Sequence, residues 1–202
     1  MPGWAWIVIA VGAVVLVLLA VLAALSRRRR GRLRERFGPE YDRAVAERGG
    51  RRQAEADLEQ REAKRQRLQI VPLSAGARDG YLRSWRDLQE RFVDEPSKSV
   101  SSADRLVEEV MRERGYPMDE FDQRAADISV DHPEVVENYR AAHRISIAEG
   151  KGEATTEDLR KAVIHYRALF NELLEADEQA DEEVGGETAR RANEGPARND
   201  ER

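Results

Sequence analysis

TEDLRKAVIHYRALFNELL, residues 156–174, repeats its apolar side chains at helical spacing. Leu159, Ala162, Val163, Tyr166, Leu169, Phe170, Leu173 and Leu174 stand three or four apart, so one broad stripe of an α-helix carries them all. A stripe that wide needs neighbours over most of its surface, which makes this helix the expected centre of a core. Just ahead of it, Thr155 and Asp158 have the spacing at which a hydroxyl and a carboxylate satisfy each other's backbone amides at a helix start.

Upstream, the same periodicity returns several times. Val135, Val136, Tyr139, Ala142 and Ile145 mark one helix, and Asp131-His132-Pro133-Glu134 before it reads as a second capping box with its proline in the first turn. Phe121, Ala125 and Ile128 mark a shorter helix. Leu106, Val107, Val110 and Met111 mark another, stopped by Gly115 before Tyr116-Pro117, with the serines between Ser97 and Ser102 read as the polar turn that leads into it. Tyr81, Trp85, Leu88 and Phe92 follow Ser74, a suitable N-cap, and Asp94-Glu95-Pro96 ends that helix. No run alternates in the way a strand requires, and no internal repeat is present. The fold class is therefore all-α. Residues 70–176 form a small helical-bundle domain, and the acidic tail over 177–202 has too few apolar residues to fold and is expected to be disordered.

The preceding residues divide in two. Residues 26–69 read as a basic, charged helical stalk in which Leu33, Phe37, Tyr41 and Val45 recur every fourth position, with Gly38-Pro39 and Gly49-Gly50 as interruptions. Between Arg51 and Leu68 the apolar stripe is thin, so this part reads as a solvated spacer or one short strand of a coiled coil. Ahead of the stalk, residues 4–25 carry no charge at all. As a helix these 22 positions reach about 33 Å, enough for a hydrocarbon core of about 30 Å. Only residues 1–3 precede them. Trp4 and Trp6 stand at one end as interfacial anchors, and Arg27, Arg28, Arg29 and Arg30 close the other. Arginines there predict a single-pass protein of the cell membrane with its N-terminus outside and its C-terminal domain in the cytoplasm. A cleavable export signal has the reverse charge order. The small residues Ala23, Ala24 and Ser26 keep an exported protein as an alternative.

Composition narrows the function. The formal net charge of −5 conceals a split: residues 26–70 hold 15 basic and 8 acidic side chains, residues 71–202 hold 19 and 31. The basic juxtamembrane segment suits anionic lipid headgroups of the bilayer, whereas an acidic distal domain argues against nucleic acid as a partner. Cysteine is absent, which excludes disulfides, thiolate catalysis and Cys-ligated metals. There is no nucleophile elbow and no glycine-rich phosphate loop, so no catalytic residue, metal ligand or cofactor is assigned. His132 and His143 stand 11 residues apart, about 16 Å along one helix, too far to share a metal directly. Together with Asp131, Glu134 and His165 they support the alternative of a small metal-dependent hydrolase or a ligand-binding domain. The leading expectation is a non-enzymatic, membrane-tethered adaptor or scaffold that binds a protein partner through Asp131, His132, Glu134, Glu137 and Tyr139.

Several strings also resemble a family. VMRERGYP (110–117), FDQRAADISVDHPEVVENYRAAHRI (121–145) and TEDLRKAVIHYRALFNELL, with RERFGPEYDR (34–43) and RLQIVPLS (67–74), are similar to a bacterial family common in actinobacteria. Its members are short membrane-anchored or secreted proteins with no assigned function. The resemblance covers nearly everything except the tail. It implies an architecture and carries over no catalytic residue.

Overall fold

The computed structural model describes the backbone of residues 3–193 and the side chains of residues 12–175. Among the described residues there are eight helices and no strand. In order they are α1 (Gly3–Phe37), α2 (Pro39–Arg48), α3 (Arg51–Arg65), α4 (Ala75–Arg91), α5 (Pro96–Arg114), α6 (Phe121–Asp131), α7 (Val136–Gly150) and α8 (Thr156–Asn193). Trp4 and Trp6 lie outside the described side chains; of the tail expected to be disordered over 177–202, the backbone to Asn193 continues α8 as helix and the rest lies outside the described residues. Among the described residues no helix is long and apolar enough to cross a membrane. Of the uncharged run 4–25, the described side chains begin at Gly12. The chain divides into two compact units, Met1–Ala63 and Lys64–Arg202.

In the first unit, two glycines with positive φ reverse the chain. Gly38 (φ 46°) precedes Pro39, which opens α2 at a position that needs no amide donor, and Gly49 (φ 67°) ends α2 in the left-handed conformation. The segment expected to be a solvated spacer is instead part of a folded unit. Ala54 and Leu58 of α3 are fully buried, as are Leu33 and Phe37 of α1, and Tyr41 and Ala44 of α2 are nearly so. Opposite charges make up for the thin stripe. Arg30 meets Glu55 at 3.4 Å, Arg32 and Arg36 each meet Glu62 at 3.1 Å, and Arg29 pairs with Glu59. Between α2 and α3, Arg61 meets Glu40 at 2.8 Å and Arg48 pairs with Asp57, while the Tyr41 hydroxyl donates to Glu55 at 3.0 Å.

In the second unit α8 occupies the centre, as its stripe predicts: all eight residues from Leu159 to Leu174 named above are buried. Trp85 of α4 stacks on Phe170 with ring centroids 4.6 Å apart. The caps at Ser74 and Thr155 form as read. Ser74 Oγ accepts from the Ala77 amide at 3.2 Å; Thr155 Oγ1 accepts from the Asp158 amide at 3.2 Å while Asp158 accepts from the Thr155 amide at 3.1 Å. Gly115 ends α5 with φ 94°, and a Cβ there would lie 2.5 Å from the Gln69 carbonyl oxygen, so conformation and space both require glycine.

Two local readings are corrected. The serines from Ser97 to Ser102 do not form a turn: α5 begins at Pro96 and includes them, with Ser99 buried and Ser101 Oγ donating back to the Ser97 carbonyl at 3.2 Å. Proline at the first helical position nucleates the helix earlier than the apolar pattern shows. Asp131-His132-Pro133-Glu134 is not a capping box either. Asp131 is the last residue of α6, and α7 starts at Val136 without a side-chain cap. The Asp131 carboxylate accepts instead from the Tyr116 hydroxyl at 2.8 Å and pairs with Arg65. Those charged and buried-hydroxyl partners are stronger than an amide in a short turn.

Candidate functional site

The residues expected to form a partner surface or metal cluster do not converge. Glu134 and Glu137 are exposed, and Glu137 meets Arg144 at 3.1 Å. Tyr139 is 0% exposed, so it belongs to the core and cannot be a contact residue; an aromatic stripe at helical spacing serves packing first. Each histidine has its own neighbour. His132 is buried with Nδ1 3.2 Å from Glu172, His165 Nδ1 lies 2.8 Å from Asn138 Oδ1, and His143 stacks on Phe121 at 3.5 Å between centroids. Burial lowers the pKa of His132 against the opposing pull of Glu172, and burial likewise lowers that of His143. Among the described residues no group of three or more His, Cys, Asp or Glu side chains is placed to hold a metal ion.

What the fold does bring together is a polar network between α5, α6, α7 and α8. Arg124 of α6 is its hub. Its Nη2 donates to Glu108 at 2.7 Å, its Nη1 to the Asp119 carbonyl at 2.8 Å and its Nε to the Tyr139 hydroxyl at 3.3 Å. Burial opposes the charge on Arg124, but its hydrogen bond to Tyr139 and the carboxylates of Glu108 and Asp104 raise its pKa further. The Tyr139 hydroxyl is pushed up to about 12 by burial, with Arg124 pulling the other way. Tyr166 lies beside it, its ring edge-on to that of Tyr139 at 6.4 Å, and its hydroxyl is 3.0 Å from Ser146 Oγ. Burial and the charge of Asp104 raise the Tyr166 pKa. Both tyrosines therefore stay protonated near neutral pH and act as hydrogen-bond groups.

This network fixes the relative positions of four helices, because a buried hydroxyl or guanidinium left without its partner is costly. At its edge is an open cleft of about 420 Å³ lined by Val100, Ser101, Asp104, Arg105, Ser146 and Glu149. The cleft mixes one basic with two acidic side chains and holds no nucleophile paired with a base. Asp104, Glu108, Arg124 and Ser146 were not expected from sequence. One signal was available: Tyr139 and Tyr166 sit within apolar stripes, and a buried hydroxyl calls for a partner. Nothing local identifies that partner. No family model matches the chain, and no curated protein or solved structure is significantly similar to it.

Proposed function

We propose that the chain is a single-pass membrane-anchored adaptor, with residues 4–25 crossing the cell membrane, the N-terminus outside and the helical units in the cytoplasm. The observation that carries this reading is the surface of α1 ahead of its arginines. From Val14 to Leu25 every large apolar side chain is exposed, Leu16 at 69% and Leu22 at 59%, and successive positions point to all sides of the helix. Water penalises such a surface at roughly 25 cal/mol per Å², and a helix apolar all round cannot hide it by packing one face on a neighbour. Hydrocarbon removes the penalty, and the arginines that begin at Arg27 support the inward orientation.

The acid-rich distal unit, with Glu134 and Glu137 exposed beside the start of α7, supports a protein partner that offers a basic face. Tethering raises the effective concentration of the unit for a partner at the same membrane. The test uses the full-length protein in cells. It should stay in the membrane fraction through an alkaline carbonate wash, and Leu16→Arg with Leu18→Arg should release it, because a mid-span arginine costs about 2.5–3.5 kcal/mol. Proximity labelling from the C-terminus should enrich cytoplasmic proteins whose recovery depends on the intact anchor. Extraction of the unaltered chain by carbonate would sink the anchor; labelling confined to proteins outside the membrane would reverse the topology.

A further inference from the structure

The arginines that follow the apolar run do not share one fate. Arg29, Arg30, Arg32, Arg34 and Arg36 are each paired with a carboxylate of α2 or α3, Arg34 with Asp42 at 3.1 Å. Arg27 and Arg28 are exposed and have no ion-pair partner among the described residues, and the same is true of Arg51 and Arg52 at the start of α3. The paired arginines also give the register of the unit. Arg29 and Arg30 meet Glu59 and Glu55, while Arg32 and Arg36 both meet Glu62, so α3 runs in the same general direction as α1. Counted back from Glu55 and Glu59, which meet Arg30 and Arg29, Arg51 and Arg52 fall level with residues 21–27 of α1, the last turns of the apolar run. The α2–α3 turn thus brings a second basic pair to the end of the apolar run. That pair does not serve its own helix. The first turn of α3 contains no acidic residue, although the helix dipole favours acids there and disfavours bases.

We propose that Arg27, Arg28, Arg51 and Arg52 form a collar that binds the phosphates of anionic lipid headgroups at the cytoplasmic surface of the bilayer. The collar rests on the anchor reading and replaces the whole juxtamembrane run as the lipid site, since the other five arginines are already neutralised within the unit. Lipid is favoured over a soluble phosphate because both basic pairs fall at the end of the apolar run, where the bilayer reading puts a headgroup layer.

The chain has no cysteine, so Gly50→Cys gives a single attachment point for a nitroxide in the α2–α3 turn. A Cβ at Gly50 meets only the Gln53 side chain, at 3.5 Å, an ordinary contact. In the full-length protein reconstituted into phosphatidylcholine vesicles with and without phosphatidylglycerol, the label should be shielded from a water-soluble paramagnetic reagent only when the anionic lipid is present. Arg51→Gln with Arg52→Gln should shift the ratio of shielded to accessible label by about fivefold per arginine, and Arg34→Gln should leave it unchanged. Equal accessibility in both vesicles, an equal loss with Arg34→Gln, or the same shielding from inorganic phosphate added to neutral vesicles would overturn the collar. Release of the protein from both vesicles by carbonate would instead remove the anchor on which it rests.

Discussion

The two units solve the same problem by different means. In the second, α8 offers a stripe of large side chains, and burial of Tyr166, Leu169, Phe170 and Leu173 organises the helices around it. In the first, few large apolar residues lie outside the exposed run of α1, and a ladder of arginine–carboxylate pairs joins α1, α2 and α3 over a narrow seam from Leu33 to Leu58. Apolar burial is additive, non-directional and nearly indifferent to salt, whereas ion pairs at partly exposed positions are individually weak and screened. A helix can therefore be charged along most of its length and still be folded, but its stability then depends on the solution around it.

That contrast can be broken most strongly in the second unit. Phe170→Ala removes the ring that stacks on Trp85 in the centre of the core and should cost about 3–5 kcal/mol, read as a lower unfolding midpoint in denaturant. Amide exchange in α3 should be unaffected by it. Next in size, Gly115→Ala imposes a Cβ on a left-handed residue and drives it toward the Gln69 carbonyl, at a cost of about 1–3 kcal/mol; a neutral result would mean that the α5 terminus relaxes freely. The smallest effect sharpens the comparison from the other side. Glu62→Gln weakens the contacts to Arg32 and Arg36 and should cost no more than about 1 kcal/mol. Raising salt to about 1 M, where the screening length falls to about 3 Å, should speed amide exchange in α3 of the unaltered protein while leaving α8 slow. If both helices respond alike, the ladder is not what holds the first unit.

The same contrast decides what sequence alone could reveal. The α8 stripe, the Thr155–Asp158 box, the Ser74 cap and the Gly115 stop are local, so spacing was enough to read them. The packing of α3 was missed because its α1 partners lie 25–30 residues away, as Arg30 does from Glu55, and a charge carries no periodic mark of which opposite charge it will meet. Asp131 shows how a legible signal can mislead: the string is correct for a capping box, but Tyr116 and Arg65, distant in sequence, claim the carboxylate. The candidate network was the least legible part. Its hub, Arg124, lies on a short helix among other charged residues, and only the hydroxyls of Tyr139 and Tyr166 hinted that a polar partner would be needed inside.

One further consequence follows from α1 being a single helix from Gly3 to Phe37. Such a rod has no swivel between its apolar and its charged portions, so the two are locked in angular phase. Each residue added or removed between Leu25 and Leu33 would turn the seam by about 100° and displace it by about 1.5 Å. The number of residues in that interval is thus a setting, like the cut of a key, that fixes the angle at which the seam of the first unit stands to the apolar portion of the rod.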